Sequence, residues 1–349
     1  MPKYITEYVK EHYDVIKVRK EVAERLREFA KEMGLTISDA ISYLLPNIQD
    51  GAGDVVDQVA SEVASYVLSN YRGEDVKLLA YPGGDFRIFD ELNRIFMASK
   101  ANVFVEPFGG SCWCSLNVSR AKFKVIVCND IDQDLINFYR LVRDRPCELA
   151  KRLAILPISR ELRKIAIEIL RDGSADPITK AVLFFYVART SFSGGVGRKP
   201  GFGSSKTVNR AKTYSCAVAS IAEYAKRFRD VVLECKDYRD IIKQYDSEST
   251  LFYLDPPYVG RDVDHYRYGF TTVDLRNMAR LLKNVKGFWV LKVTEDNYAL
   301  IKDVLPPHSL EEIKTAMSIS MAKGEKRPVL RYLVAHNVKI PRTVPLFRQ

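Results

Sequence analysis

Apolar positions in this chain gather into short runs that end on an acid, and the clearest is Leu251-Phe-Tyr-Leu-Asp-Pro-Pro-Tyr258. Four apolar residues followed by two prolines predict a buried strand that stops abruptly. Each proline fixes its own φ, and Pro257 also restricts Pro256, so Asp255 and Tyr258 project from a stiff turn. Val103-Phe-Val-Glu-Pro-Phe-Gly-Gly-Ser111 is a second apolar run, entering an acid and a glycine-rich turn. Lys124-Val-Ile-Val-Cys-Asn-Asp130 is a third run with an acid at its end. The fold class these runs predict is α/β, a doubly wound sheet.

The chemistry follows from what the strands deliver. An Asp side chain and a bare carbonyl, here Asp255 and Pro256, can accept both hydrogen bonds of an exocyclic amine, while Tyr258 stacks on the attached ring. A glycine-rich turn after the first strand of such a sheet lets a nucleotide approach the backbone. An acid ending the second strand, Asp130, is where these domains grip ribose hydroxyls. No Gly-x-x-x-x-Gly-Lys pattern is present, so a triphosphate is not the obvious ligand.

The first fifty residues read separately. Tyr13 to Arg19 alternates, with Ile16 and Val18 on one face and Val15, Lys17 and Arg19 on the other. Helical spacing follows through Val22, Leu26, Phe29, Ala30 and Met33, then through Ile37, Ile41, Leu44 and Leu45 up to Pro46. One strand and two helices bury too little to stand alone, so the unit needs a partner. It resembles a ribbon-helix-helix module over 1–50, which implies a homodimer that sets Lys17 and Arg19 in the major groove; a small helical cap is the alternative. A glycine-containing break at Gln49–Asp54 leads to a linker helix within 51–75.

From about Leu78 onward the chain resembles the Dam-type DNA N6-adenine methyltransferases, in which the cofactor motif precedes the target-recognition region and the Asp-Pro-Pro-Tyr motif. The residues that carry the resemblance are Tyr81-Pro-Gly-Gly84, Glu106-Pro-Phe-Gly-Gly-Ser111, Asn129-Asp-Ile131, Asp237-Tyr238, Asp255-Pro-Pro-Tyr258, Arg331 to Asn337 and Pro345-Leu-Phe347. It implies a methyltransferase domain over 76–349 that uses S-adenosylmethionine on double-stranded DNA. Tyr81, Gly83, Gly84, Asp85, Glu106, Pro107, Phe108, Gly109, Gly110, Asp130, Ile131, Asp237, Tyr238 and Asp255 would hold the cofactor. Asp255, Pro256, Pro257 and Tyr258 would form the catalytic loop around a flipped adenine. Asp85 departs from the pattern, since the family usually has a lysine there to favour the cofactor's carboxylate. An aspartate repels that group, and Arg87 is the nearest candidate to compensate. Cys112 replaces a small residue, often glycine, and is expected to act as a small apolar side chain.

An inserted, mainly helical target-recognition domain is expected at about 140–230. Ala188 to Tyr214 carries six basic residues (Arg189, Arg198, Lys199, Lys206, Arg210, Lys212), five glycines and no acid. Such a stretch can follow a phosphate chain and reach guanine edges, although a solvated basic loop has the same composition.

Composition narrows the class further. Lys+Arg 54 against Asp+Glu 44 gives a net charge of +10, which favours a polyanionic partner. Six cysteines and four histidines fall in no metal-ligand spacing, so no metal and free thiols are expected. No apolar run suits a signal peptide or a membrane span, which points to the cytoplasm. Two other readings stay open. One is an enzyme on another amine (cytosine N4, RNA adenine, a protein amide), against which Asp rather than Ser or Asn before the prolines argues. The other is a DNA-binding regulator with an inactive methyltransferase domain, motivated by Asp85 and the N-terminal module.

Overall fold

The computed structural model describes residues 65–67, 69–70, 77–79, 85–191, 201–206, 208–260, 268–316 and 329–340. The expected N-terminal module with Lys17 and Arg19 lies outside them, as do Tyr81, Gly83, Gly84, Arg198, Lys199 and the Pro345-Leu-Phe347 tail. The chain divides into two compact units: one of 1–80, 137–196 and 200–226, the other of 81–136, 197–199 and 227–349.

The second unit holds the whole sheet. Its strands are β1 (Val103–Glu106), β2 (Val125–Asn129), β3 (Val232–Glu234), β4 (Thr250–Leu254), β5 (Phe288–Val293), β6 (Ser309–Ala316) and β7 (Val329–His336). Their order is β3-β2-β1-β4-β5-β7-β6. The first five strands run parallel, and β7 is antiparallel between β5 and β6. Parallel strands covered on both faces are apolar throughout rather than alternating, and all five residues of β4 are buried. Val103 pairs with Val125 on one side and Thr250 on the other, so β1, β2 and β4 end at one edge. The order reverses between β1 and β4, and ligands of open α/β sheets bind beyond the strand ends at that point. Glu106, Asp130 and Asp255 all sit there. Phe252, Leu254, Trp289, Leu291 and Met278 pack beneath the site with at most 1% exposure, giving it a rigid floor.

The first unit is helical where it is described: Pro146–Ala154, Arg160–Asp172, Pro177–Thr190 and Arg210–Ala219. Asp176 caps the third helix by accepting from Ile178 and Thr179 N–H, with Pro177 at its first position. That helix is apolar nearly all round and buried in the unit, with Phe185 stacked on Phe138 at 5.5 Å. Among the described residues no helix is long and apolar enough to cross a membrane.

The cysteines correct one expectation. Cys112 and Cys128 form a disulfide, so these two are not free thiols, while Cys114, Cys147, Cys216 and Cys235 are. Cys112 is also not a neutral replacement for a small residue. It sits at φ 50°, in the left-handed region that favours glycine, where its link to β2 holds it.

Candidate active site

Asp255 leaves the end of β4 with its side chain 19% exposed, and both carboxylate oxygens are engaged. Tyr258 Oη donates to Oδ1 at 3.1 Å, and Lys292 Nζ lies 2.7 Å from Oδ2. Lys292 is on β5, the neighbouring strand, and is completely buried. It also pairs with Asp85 Oδ1. Asp85, in the turn Asp85–Arg87, is 4% exposed and accepts from Tyr253 Oη at 2.6 Å. A cation that answers Asp85 is therefore Lys292. Two carboxylates thus share one ammonium in a buried setting. Burial raises Asp255 most, Lys292 opposes it and Asp85 adds to it, with the result that Asp255 is pushed up to about 7. Burial works against the Lys292 charge, but Asp255 and Asp85 outweigh it and hold the group well above the usual lysine range.

The turn after Asp255 is clamped from outside the motif. Asn297, 1% exposed, accepts from Val259 N–H at 2.8 Å and donates to Val259 O at 2.9 Å. The Tyr258 ring lies 6.2 Å from that of Tyr332 on β7, and Lys292 Nζ sits 4.9 Å from the Tyr332 centroid. No motif signalled Lys292 or Asn297. A lysine amid Phe288-Trp-Val-Leu-Lys-Val293 was the available clue, because a lysine in a strand buried on both faces needs a charged partner.

A cleft joins this loop to the end of β2. Pro107, Phe108, Gly110, Asp130, Ile131, Asp237, Tyr238, Asp255 and Pro257 are among the residues that line it. Asp130 is held by main chain: Gly110 N–H donates to Oδ2 and Asp132 N–H to Oδ1, each at 2.9 Å. Burial outweighs these bonds and pushes Asp130 up to about 6. Asn129 ties three loops together, donating to Pro107 O and Lys236 O at 2.9 Å and accepting from Lys236 N–H. Phe108 packs on Tyr238 at 5.2 Å and Phe270 at 5.7 Å, and Ile131 is 47% exposed, so the cleft has apolar walls beside its acid. Asp237 caps the helix Tyr238–Tyr245 and pairs with Arg239 at 2.7 Å.

Glu106 and Gly109 serve the loop from inside. Glu106 Oε2 accepts from Ser115 N–H at 2.9 Å and Ser115 Oγ at 2.5 Å. Burial pushes Glu106 up to about 8, against the pull of its bonds from Ser115. A Cβ on Gly109 would meet Cys128 Sγ at 2.6 Å and Asn129 O at 2.8 Å, so only glycine fits against β2.

The basic stretch divides. The Arg189 guanidinium donates to Thr213 O at 2.9 Å and Lys77 O at 3.3 Å. Burial pulls it down to about 10. It braces the helical unit through these bonds. Arg210 is half-buried at the start of its helix, whereas Lys206 and Lys212 are exposed. Among the described residues no group of three or more His, Cys, Asp or Glu could hold a metal ion.

Known proteins bear on this geometry. The model of the D12 class N6 adenine-specific DNA methyltransferase family matches residues 81–319. The chain is 24% identical over 272 residues to a DNA adenine methylase of Haemophilus influenzae, covering 74% of this chain and 92% of the relative. With a DNA adenine methylase of Escherichia coli K12 it shares 24% over 261 residues, 72% of this chain and 91% of the relative. With the type II methyltransferase M.CviBI of Paramecium bursaria Chlorella virus NC1A it shares 26% over 203 residues, 57% of this chain and 76% of the relative.

Proposed function

The chain belongs to the D12 class of N6 adenine-specific DNA methyltransferases and methylates adenine in DNA, and from that premise we propose that it takes the methyl group from S-adenosylmethionine and places it on a flipped adenine held by Asp255 to Tyr258. The observation that carries this reading is the single cleft lined by both Asp130 and Asp255. One acid suits a ribose and the other an amine, and the shared cleft lets donor and acceptor meet.

The cleft suits that cofactor. Asp130 offers carboxylate oxygens beside the exposed Ile131, and Phe108 with Tyr238 gives an apolar wall for a purine. When bound, S-adenosylmethionine would supply an electrophilic methyl group on a sulfonium, with the sulfur as leaving group. The N6 lone pair is delocalised into the adenine ring and is a weak nucleophile. Asp255 and the Pro256 carbonyl accept its two N–H bonds and localise the pair on nitrogen. Positive charge then grows on that nitrogen, and a carboxylate beside it stabilises the transition state more than the ground state. The alkylated nitrogen is acidic and loses its proton to Asp255 or to water. Tyr258 is the stacking surface for the extruded base.

Lys206, Arg210 and Lys212, with Arg198 and Lys199, are read as DNA contacts of a target-recognition region, on their charge and their place between the two motifs. The module over 1–50 is read as a ribbon-helix-helix dimer that adds DNA affinity. Deleting residues up to about Asp50 should leave a methylating monomer with weaker binding and a shallower salt dependence. Light scattering that finds the full chain monomeric at micromolar concentration would remove this module's assignment.

The test of the main reading is labelled methyl transfer to unmethylated duplex DNA, followed by nucleoside analysis. N6-methyladenine is expected. N4-methylcytosine would indicate another amine, and no transfer with retained DNA binding would indicate a regulator.

A further inference from the structure

We propose that Lys292 is a positioning residue for methyl transfer, presenting Asp255 Oδ1 to the cleft as an unprotonated acceptor by tying down Oδ2 from the buried side. The inference rests on the reading of Asp255 given above and adds the residues that control it. It begins with geometry. Lys292 Nζ reaches Asp255 Oδ2 at 2.7 Å and also pairs with Asp85 Oδ1. Asp85 is anchored in turn by Tyr253 Oη at 2.6 Å, so the ammonium is held between two fixed carboxylates. Lys292 is completely buried and is not among the residues that line the cleft, whereas Asp255 is. A cation with no exposed surface has nothing to offer a substrate directly. It acts through Asp255.

The arrangement leaves Oδ1 as the oxygen to meet the amine. Oδ2 points to the interior ammonium, and Oδ1 is met only by the Tyr258 hydroxyl, at 3.1 Å, among the bonds described for Asp255. A carboxylate sequestered from water takes up a proton unless a cation opposes it, and a protonated Asp255 would present a donor where the amine needs an acceptor. Lys292 opposes that proton, while Asp85 promotes it and fixes the lysine in place. Other groups face Asp255 as well. Tyr258 lies beside it, Glu106 comes from β1, and Tyr332 on β7 carries the lysine over its ring. Tyr253 and Cys114, both raised well above their usual ranges by burial first, stay neutral near pH 7. The charges that set the balance are therefore Lys292 on one side and Asp85 on the other.

This predicts opposite effects from the two partners of one ion pair, which a merely structural bridge would not give. The readout is the pH dependence of single-turnover methylation of duplex DNA by the full chain. In wild type the rate should fall as pH drops through the Asp255 titration. Lys292→Met should move that acidic limb upward, by about 1–3 pH units as for loss of an adjacent opposite charge, and lower the rate at pH 7 by about 10-fold or more. Asp85→Asn should move the limb downward, and Lys292→Arg should restore most of the wild-type profile. Carbon-13 titration of the Asp255 carboxyl in the free protein should move the same way in each variant. Thermal melting reports whether the variants are folded. If Lys292→Met does not fold, Asp85→Asn still decides the matter. An unmoved limb in folded Lys292→Met, or an unmoved or raised limb in Asp85→Asn, overturns the inference while leaving the role of Asp255 intact. Loss of methylation in wild type itself would instead overturn the reading of Asp255.

Discussion

Asp130 and Asp255 occupy equivalent places, each directly after a parallel strand and each on the wall of one cleft, yet they are held in different ways. Main-chain N–H groups of Gly110 and Asp132 fix Asp130, so its geometry comes from how the loop folds. Side chains fix Asp255: Lys292 from β5, Tyr258 from its own turn, and Asp85 behind the lysine. A carboxylate bound by backbone is a fixed acceptor, well suited to gripping two hydroxyls. One bound by charged side chains has its protonation set by residues far away in sequence, which suits a group that must meet developing charge.

Substitutions can break this contrast. The largest effect is expected for Asp255→Ala, which should reduce methylation by about 10²–10³-fold or more while DNA still binds. Equal methylation by the variant would end the role assigned to Asp255. Asp130→Ala comes next and should act on the other side of the comparison, weakening S-adenosylmethionine by about 1.5–3 kcal/mol. Calorimetry reads this directly, and unchanged affinity would take Asp130 out of the site. Tyr258→Ala should slow methylation by an amount equivalent to about 1–3 kcal/mol, the worth of stacking on one base. Tyr258→Phe keeps the ring and loses only the bond to Asp255 Oδ1, so about 0.5–1.5 kcal/mol is expected. If Phe were as damaging as Ala, the hydroxyl rather than the ring would be what matters.

The same contrast explains what could be read from the sequence. Strands that run into Glu106, Asp130 and Asp255 were legible because apolar runs with an acid and a breaker are local signals. Asp255 and Asp130 both line the cleft. Legibility failed where the cause is a contact between distant residues. Asp85 looked like a defect in the cofactor motif, because its partner lies 207 residues away. Glu106 was read as a cofactor ligand, and the bonds that Ser115 makes to its Oε2 from the loop that follows were not foreseen. Cys112 looked inert, and only the register of β1 on β2 brings it to Cys128. The bonds of Arg189 to Thr213 and Lys77 were not foreseen either, because charge along a chain says nothing about burial.

The most direct test of the central claim is single-turnover methylation of duplex DNA by wild-type protein across pH, with saturating S-adenosylmethionine and identification of the product nucleoside. Burial pushes Asp255 up to about 7 against the pull of Lys292, and on the proposed mechanism the ionised form is the one that accepts the amine. The sign follows from this, since activity is present above that value and lost as pH falls through it. The account predicts N6-methyladenine formed at a rate that falls about tenfold per pH unit below the limb, as for one titrating acid. A rate unchanged from pH 8 to 5.5, or a different methylated base, contradicts it.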